Sequence, residues 1–297
     1  MYHQPVMLKE TTNSLVQIPD GVYVDITFGG GGHSKKILEL LSPKGRLFGF
    51  DQDSDAQKNA PKDDRFTFVK ANFRHLKRFL KLHNITEVDG ILADFGVSSH
   101  QIDTAERGFS TRFDGDLDMR MDQTSALTAS DVLNTYSFEK LVDIFSKYGE
   151  VINSKMLARK IEAIRTEHPF RTTEDLLSVA KELARGKEVR YLAQVFQAIR
   201  IEVNDELGVI KEFLIQAGEI LKPGGRIVVL SYHSLEDRLV KNYVKAANFE
   251  GEPEKDFFGH SKLIFKPVIK KYEEASAEEI KENPRARSAK LRVAEKI

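Results

Sequence analysis

Four consecutive glycines, Gly29 to Gly32, follow an apolar run, Val22-Tyr-Val-Asp-Ile-Thr-Phe28, and precede a stretch in which Ile37, Leu38, Leu40 and Leu41 stand among polar residues. Glycine loses more conformational freedom on folding than any other residue, so four together mark a turn where bare backbone is needed. A strand feeding a turn that opens a helix is the arrangement that holds a ligand against backbone at the edge of an α/β sheet. The alternation continues along the chain. Arg46-Leu-Phe-Gly-Phe-Asp51, Phe66-Thr-Phe-Val-Lys-Ala71 and Gly90-Ile-Leu-Ala-Asp-Phe95 are further short apolar runs, while Phe73, Leu76, Phe79, Leu80 and Leu82 have helical spacing. Four strands alternating with helices through short connections predict an α/β, Rossmann-like fold with a mostly parallel sheet covered on both faces.

Beyond Val97 the rhythm changes. Residues 98 to 125 read as a loop rich in Ser, Gly, Asp and Arg, and no β-rich run occurs between 126 and 190. Thr128-Ala-Ser-Asp131 and Thr172-Thr-Glu-Asp175 have the form of helix starts with acidic first turns. The sheet pattern resumes where Leu221-Lys-Pro-Gly-Gly-Arg226 turns into Ile227-Val-Val-Leu-Ser-Tyr-His233, and Leu263 to Ile269 with Lys290 to Ala294 form a closing pair at the sheet edge. The predicted division is a first part of the α/β domain over 1–104, an inserted loop and helical subdomain over 105–190, and the second part of the domain over 191–297.

At 297 residues the chain buries enough surface for a stable core without a metal or disulfide staple. It has no cysteine, which excludes thiolate nucleophiles, Fe–S clusters and Cys-type zinc sites. Lys+Arg and Asp+Glu balance at 45 each, against a wholesale basic coat, although residues 151–200 and 261–297 each carry a local net charge of +4. The opening Met1-Tyr-His-Gln-Pro-Val-Met-Leu-Lys-Glu10 lacks a signal-peptide pattern, and no apolar run approaches ~18 residues, so a cytoplasmic location without membrane contact is expected.

Asp51 ends the second strand 20 residues beyond Gly31, where a carboxylate accepts hydrogen bonds from ribose hydroxyls. Dinucleotides and S-adenosylmethionine (SAM) both use this layout. The dinucleotide fingerprint fits imperfectly: counted from Gly29 its third glycine is Ser34, and counted from Gly30 it is Lys35. Asp25, at the end of the first strand, suits a cofactor whose amino-acid end carries an ammonium. Asp94 ends the fourth strand on the edge facing a cofactor's reactive end, where it can orient an amine or accept its proton. Tyr232 and His233 end a later strand on that edge, and with Ser98 they are pocket candidates. Between Glu106 and Asp122, Asp alternates with Arg. A calcium loop is excluded because Met119 occupies its glycine position and Ser125 its bidentate Glu position, leaving a polar loop over the active site, either a lid or a solvated excursion. Phe196, Ile199, Val203 and Leu207 are core by spacing; Arg200, Glu202 and Asn204 interrupt them and can face a cleft.

Taken together these stretches resemble the MraW (RsmH) family, SAM-dependent methyltransferases of the N4 amine of a cytidine in 16S ribosomal RNA. The strings GGGGHS, DFGVSSHQ, ERGFS, GDLDMRMD, FQAIRIEVNDEL, SYHSLEDR and NPRARSAKLR occur in order, and the resemblance spans His3-Gln-Pro-Val-Met-Leu8 to Asn283-Pro-Arg-Ala-Arg-Ser288. It implies a class I methyltransferase fold with a helical insertion, SAM as cofactor, no metal, and a decoding-centre substrate in the small ribosomal subunit. Carried over residue by residue, it puts cofactor contacts on Gly31, Gly32, His33, Asp51, Phe73, Asp94 and Gln101, with Phe73 placed to pack on an adenine face. Asp94 is the catalytic candidate. Ser98, Phe109, Arg120, Arg200, Asn204, Tyr232 and His233 are substrate-side candidates, Phe109 or Tyr232 offering a surface for a splayed base. Many amino-methyltransferases carry Asp/Asn-Pro-Pro-aromatic where this chain has Asp94-Phe-Gly-Val, so that stacking clamp is not carried across. The competing readings are an NAD-dependent oxidoreductase and a non-catalytic RNA-binding assembly factor for the ribosome.

Overall fold

The computed structural model describes residues 5–255, 257–259 and 261–297; His3 and Gln4, at the start of the resemblance, lie outside the described residues. The chain forms two compact units, Met1–Gly96 with Leu207–Ile297, and Val97–Glu206.

The first unit is built on strands β1 (Val22–Asp25), β2 (Arg46–Asp51), β3 (Phe66–Lys70), β4 (Val88–Asp94), β5 (Leu221–Ser231), β6 (Phe265–Pro267) and β7 (Lys290–Lys296), in the order β3-β2-β1-β4-β5-β7-β6. β1 to β5 pair in parallel, and β7 runs antiparallel to both β5 and β6, so the expected closing pair forms the sheet edge. The chain winds outward from β1 to β3 and returns beside β1 as β4. Strand order therefore reverses between β1 and β4, the place where open α/β sheets bind ligands at their carboxyl ends.

Alternation explains why the strands read as continuous apolar runs. Val24, Phe48, Phe50, Ile91, Ala93, Ile227 and Val229 pack on one face, with residues of α3 (Leu76–Leu82), α10 (Glu206–Ile220) and α11 (Ser234–Ala246). Tyr23, Leu47, Leu92, Val228 and Leu230 pack on the other, with residues of α1 (Leu8–Leu15) and α2 (Gly32–Leu40). Successive side chains point to opposite faces, and both faces are covered. The Pro-Gly-Gly turn before β5 is drawn into the strand as an irregularity, the register against β4 shifting between Val88 and Gly90. A short helix, α12 (Ala277–Glu282), precedes β7.

The second unit is helical: α4 (Ser99–Asp103), α5 (Ala129–Thr135), α6 (Phe138–Lys147), α7 (Ser154–Arg165), α8 (Thr173–Leu183) and α9 (Glu188–Asn204). Thr128 and Thr172 each cap a helix in a reciprocal capping box with Asp131 and Asp175, as their spacing predicts. The unit's boundaries fall after Gly96 and Glu206, not at 104 and 190. Gly96, at φ +98°, takes the chain out of β4. α9 is one uninterrupted helix whose Leu192, Val195, Phe196, Ile199 and Val203 belong to the helical core, so the chain cannot leave that core at 190. The Asp/Arg loop is neither a free lid nor a solvated excursion. Asp114 accepts from Glu174 N–H (3.1 Å), Leu117 N–H donates to the Arg171 carbonyl (2.8 Å), and Met119 is fully buried, which pins the loop to the helical unit. Among the described residues no helix is long and apolar enough to cross a membrane.

Candidate cofactor and methyl-transfer site

β1, β2 and β4 end in Asp25, Asp51 and Asp94, which places three carboxylates along the carboxyl edge of the sheet. The glycine turn lies over β1. Gly31 is in the left-handed region at φ +72°, and a Cβ on it would stand 2.7 Å from the Phe28 ring; a Cβ on Gly32 would stand 2.1 Å from Pro5. The turn is therefore glycine partly because the segment Pro5–Met7 lies against it. Met7 N–H donates to Glu279 on α12 at 2.7 Å, which anchors that segment.

Asp51 accepts Gly29 N–H through Oδ2 and Asp53 N–H through Oδ1, both at 2.8 Å. Burial nonetheless pushes its carboxyl up to about 6. Two backbone donors fix its orientation, and each oxygen retains acceptor capacity for a ribose hydroxyl. Phe73 follows β3; its ring meets Phe213 edge-on at 5.7 Å and stacks with Phe95 at 6.2 Å, which holds the aromatic plane in place. Asp25 departs from expectation. It is 1% exposed, accepting from Ser34 Oγ–H (2.7 Å) and Thr27 N–H (3.1 Å), because the glycine turn closes over it. It supports the turn from beneath and presents no open face to an ammonium.

Asp94 is different: 24% of its side-chain surface is exposed. Its Oδ1 accepts the Tyr232 phenol at 2.6 Å, and its own N–H donates to Thr27 Oγ1 at 2.7 Å. Burial pushes its carboxyl up to about 7, with the Tyr232 hydrogen bond opposing. The Tyr232 phenol is held well above its ordinary value by burial and by Asp94, so it stays a donor. His33 completes the group. Its Nε2 lies 3.0 Å from the Val6 carbonyl, which only accepts, so Nε2 carries the hydrogen. Burial pushes its imidazole down, which leaves Nδ1 as a lone pair facing Asp94 Oδ2 at 3.7 Å.

His233 sits at the start of α11, with Nε2 3.1 Å from Glu236 Oε1. Glu236, fully buried, accepts from Tyr232 N–H (2.8 Å) and His233 N–H (3.3 Å) through its other oxygen, so it sets the backbone that carries Tyr232. Sequence reasoning passed over Glu236; an N3 glutamate in a capping box was the available signal. The remaining candidates lie in the helical unit. Ser98 and Gln101 cap α4 reciprocally, at 3.0 and 3.2 Å. Arg120 is spent on Asp118 (2.6 and 2.9 Å) and the Ser125 carbonyl (2.6 Å). Arg200 forks onto Glu206 at 2.7 and 3.0 Å. Asn204 clamps the loop, accepting Met121 N–H (2.7 Å) and donating to the Met119 and Arg200 carbonyls (2.8 and 2.9 Å). Phe109 packs on the helical core beneath the Arg107 guanidinium at 5.8 Å.

A family model described as the MraW methylase family matches residues 1–297. A ribosomal RNA small subunit methyltransferase H of Christiangramia forsetii is 56% identical, covering 100% of this chain and 98% of that protein. One from Flavobacterium johnsoniae is 57% identical over the same shares. The solved structure of an rRNA methylase from Streptococcus thermophilus aligns with 98% of this chain and 93% of its own, at 10% identity and a TM-score of 0.42; the strand order, rather than that likeness, carries the fold assignment.

Proposed function

The chain belongs to the MraW methylase family, and from that premise we propose that it methylates the exocyclic N4 amine of a cytidine in 16S ribosomal RNA of the small subunit, with SAM as methyl donor. The fold is that of a class I methyltransferase with a helical insertion. The observation that supports the reaction best is the Tyr232–Asp94–His33 arrangement at the strand-order reversal.

The residues fit the cofactor. Asp51, oriented by two backbone donors, would accept the ribose hydroxyls, and Phe73, held by Phe95 and Phe213, would lie beside the adenine. Bound there, SAM supplies an electrophilic methyl group on a sulfonium. The amine it meets is a poor nucleophile, because its lone pair is delocalised into the pyrimidine. Asp94 Oδ2 accepts a hydrogen bond from that amine and takes the proton it loses, while Tyr232 holds the other oxygen. His33 Nδ1, left as the lone-pair nitrogen because Nε2–H donates to the Val6 carbonyl and because burial disfavours the imidazolium, is the next acceptor for that proton. Holding amine and methyl in line is worth on the order of 7–11 kcal/mol in favourable cases.

Incubation with methyl-labelled SAM and unmodified small subunits, followed by nucleoside analysis, tests the reading. Label in N4-methylcytidine is expected. Label in another nucleoside overturns the target, SAM binding without any transfer overturns this substrate while the cofactor stands, and absence of both favours the assembly factor. The oxidoreductase alternative finds no support in the family.

A further inference from the structure

From Arg65 to Thr86 the chain carries six Lys+Arg and no Asp or Glu, the longest acid-free stretch in a protein that is neutral overall. The 3-10 turn Phe73–His75 and the α3 helix that follows it carry four of these cations. Arg74, Lys77, Arg78 and Lys81 follow the i, i+3, i+4, i+7 stripe, while Leu76 and Leu80 are buried on the opposite side in the sheet core. Together with His75 and Gln216 they line an open groove of about 640 Å³. The Gln216 side chain braces its floor, donating to the Arg74 carbonyl (2.8 Å) and accepting Lys77 N–H (3.0 Å). Glu212 and Glu219 on α10 pair with Arg74 and Lys77, each at 2.7 Å. Arg78 and Lys81 are exposed and, among the described residues, have no carboxylate partner. They stand one helical turn apart, with Cβ atoms about 5–6 Å from one another.

We infer that this groove is a docking surface for the RNA phosphodiester backbone, with Arg78 and Lys81 neutralising phosphates on the strand that delivers the target base. The inference rests on the proposed rRNA substrate. Topology supports it: the basic helix starts just past Phe73, at the carboxyl edge of β3, and so leads away from the cofactor edge itself. Paired Arg74 and Lys77 stiffen the groove wall, and unpaired cations beside them are free to exchange counterions for phosphate. Such contacts position a nucleic acid without reading its sequence.

The test compares Arg78→Glu/Lys81→Glu with Lys241→Glu/Lys245→Glu, a change of equal charge on exposed positions of α11. Binding of an unmodified 16S rRNA fragment is measured against salt concentration, with SAM affinity and methyl transfer followed separately. The α3 pair should weaken RNA binding at least tenfold beyond the control and flatten the log–log salt slope by roughly one to two, at ~0.7–0.9 per phosphate lost. SAM affinity should be unchanged. RNA binding equal to the control's overturns the inference, whatever the turnover. Failure of the wild type to methylate RNA while this binding difference persists overturns the substrate reading alone. Arg78→Gln/Lys81→Gln should show the same defect at about half the size, which guards against misfolding of the reversed variant.

Discussion

The two units treat polar groups in opposite ways. In the sheet unit, Asp25, His33, Asp94 and Tyr232 face one another below or beside the glycine turn, and their proton affinities are displaced as a result. In the helical unit, the core is apolar from Leu117 to Val203, and the polar candidates are saturated by neighbours: Arg120 by Asp118, Arg200 by Glu206, Asn204 by loop backbone. Confronting titratable groups in a low-dielectric site costs stability and is tolerated where chemistry needs it. Saturated polar groups define shape. The difference separates a unit whose titratable groups face one another from a unit whose polar groups are satisfied by their neighbours.

Asp94→Asn tests the first half of that contrast most severely. The isosteric amide still accepts from Tyr232 but takes no proton, so turnover should fall by roughly 10²–10⁴, read by label transfer. Near-normal turnover would dissolve the contrast. The same variant should melt higher than the wild type at pH 8. A folded-state carboxyl at about 7 lies above its unfolded value near 4, so the folded state binds more protons between those limits and loses stability as pH rises through them. The amide escapes that loss, by roughly 1–3 kcal/mol, and the difference should vanish near pH 4. Asn204→Ala probes the other half. Stranding Met121 N–H and two carbonyls should cost ~1–3 kcal/mol in thermal or urea unfolding while SAM affinity stays put. A loss of methyl transfer at full stability would instead make Asn204 a substrate ligand. Asp51→Asn sharpens the picture least: SAM affinity measured by calorimetry should weaken about tenfold, on the order of 1.4 kcal/mol. Wild-type affinity should decline as pH falls through about 6, and the variant should lose that dependence.

Much of the sheet unit was legible because buried parallel strands write themselves as apolar runs, and because glycines and terminal aspartates mark where those strands end. Tyr232 and Asp94 could be placed on one edge, yet their 2.6 Å bond joins residues 138 apart, and only the folded chain brings them together. The inward turn of Asp25 depends on Ser34 and on closure of the glycine turn, neither of which has a spacing signature. The helical candidates are held by neighbours close in sequence. Asp118 and Glu206 lie two and six residues from the arginines they hold, close enough to have been weighed as partners. The boundary at 190 was misplaced because α9 carries core residues and polar interruptions in one helix, and the interruptions read as a change of domain. The basic stripe of α3 was countable, but its apolar spacing drew the eye to packing and the neutral total concealed it.

The hydrogen bond from Met7 to Glu279 spans 272 residues and has a consequence for the order in which a newly made molecule becomes competent. Translation adds about 5–20 residues each second, and segments fold as their partners emerge. Residues 97–206 are contiguous and hold their own apolar core, so they are complete while β5, β7 and α12 are still unmade. The glycine turn, translated before the helical unit, waits for Glu279, translated after it, before Pro5–Met7 can be anchored beside it. A nascent chain therefore holds the whole helical unit well before it owns a seat for its methyl donor, and premature termination between Glu206 and Glu279 leaves the insertion without that anchor.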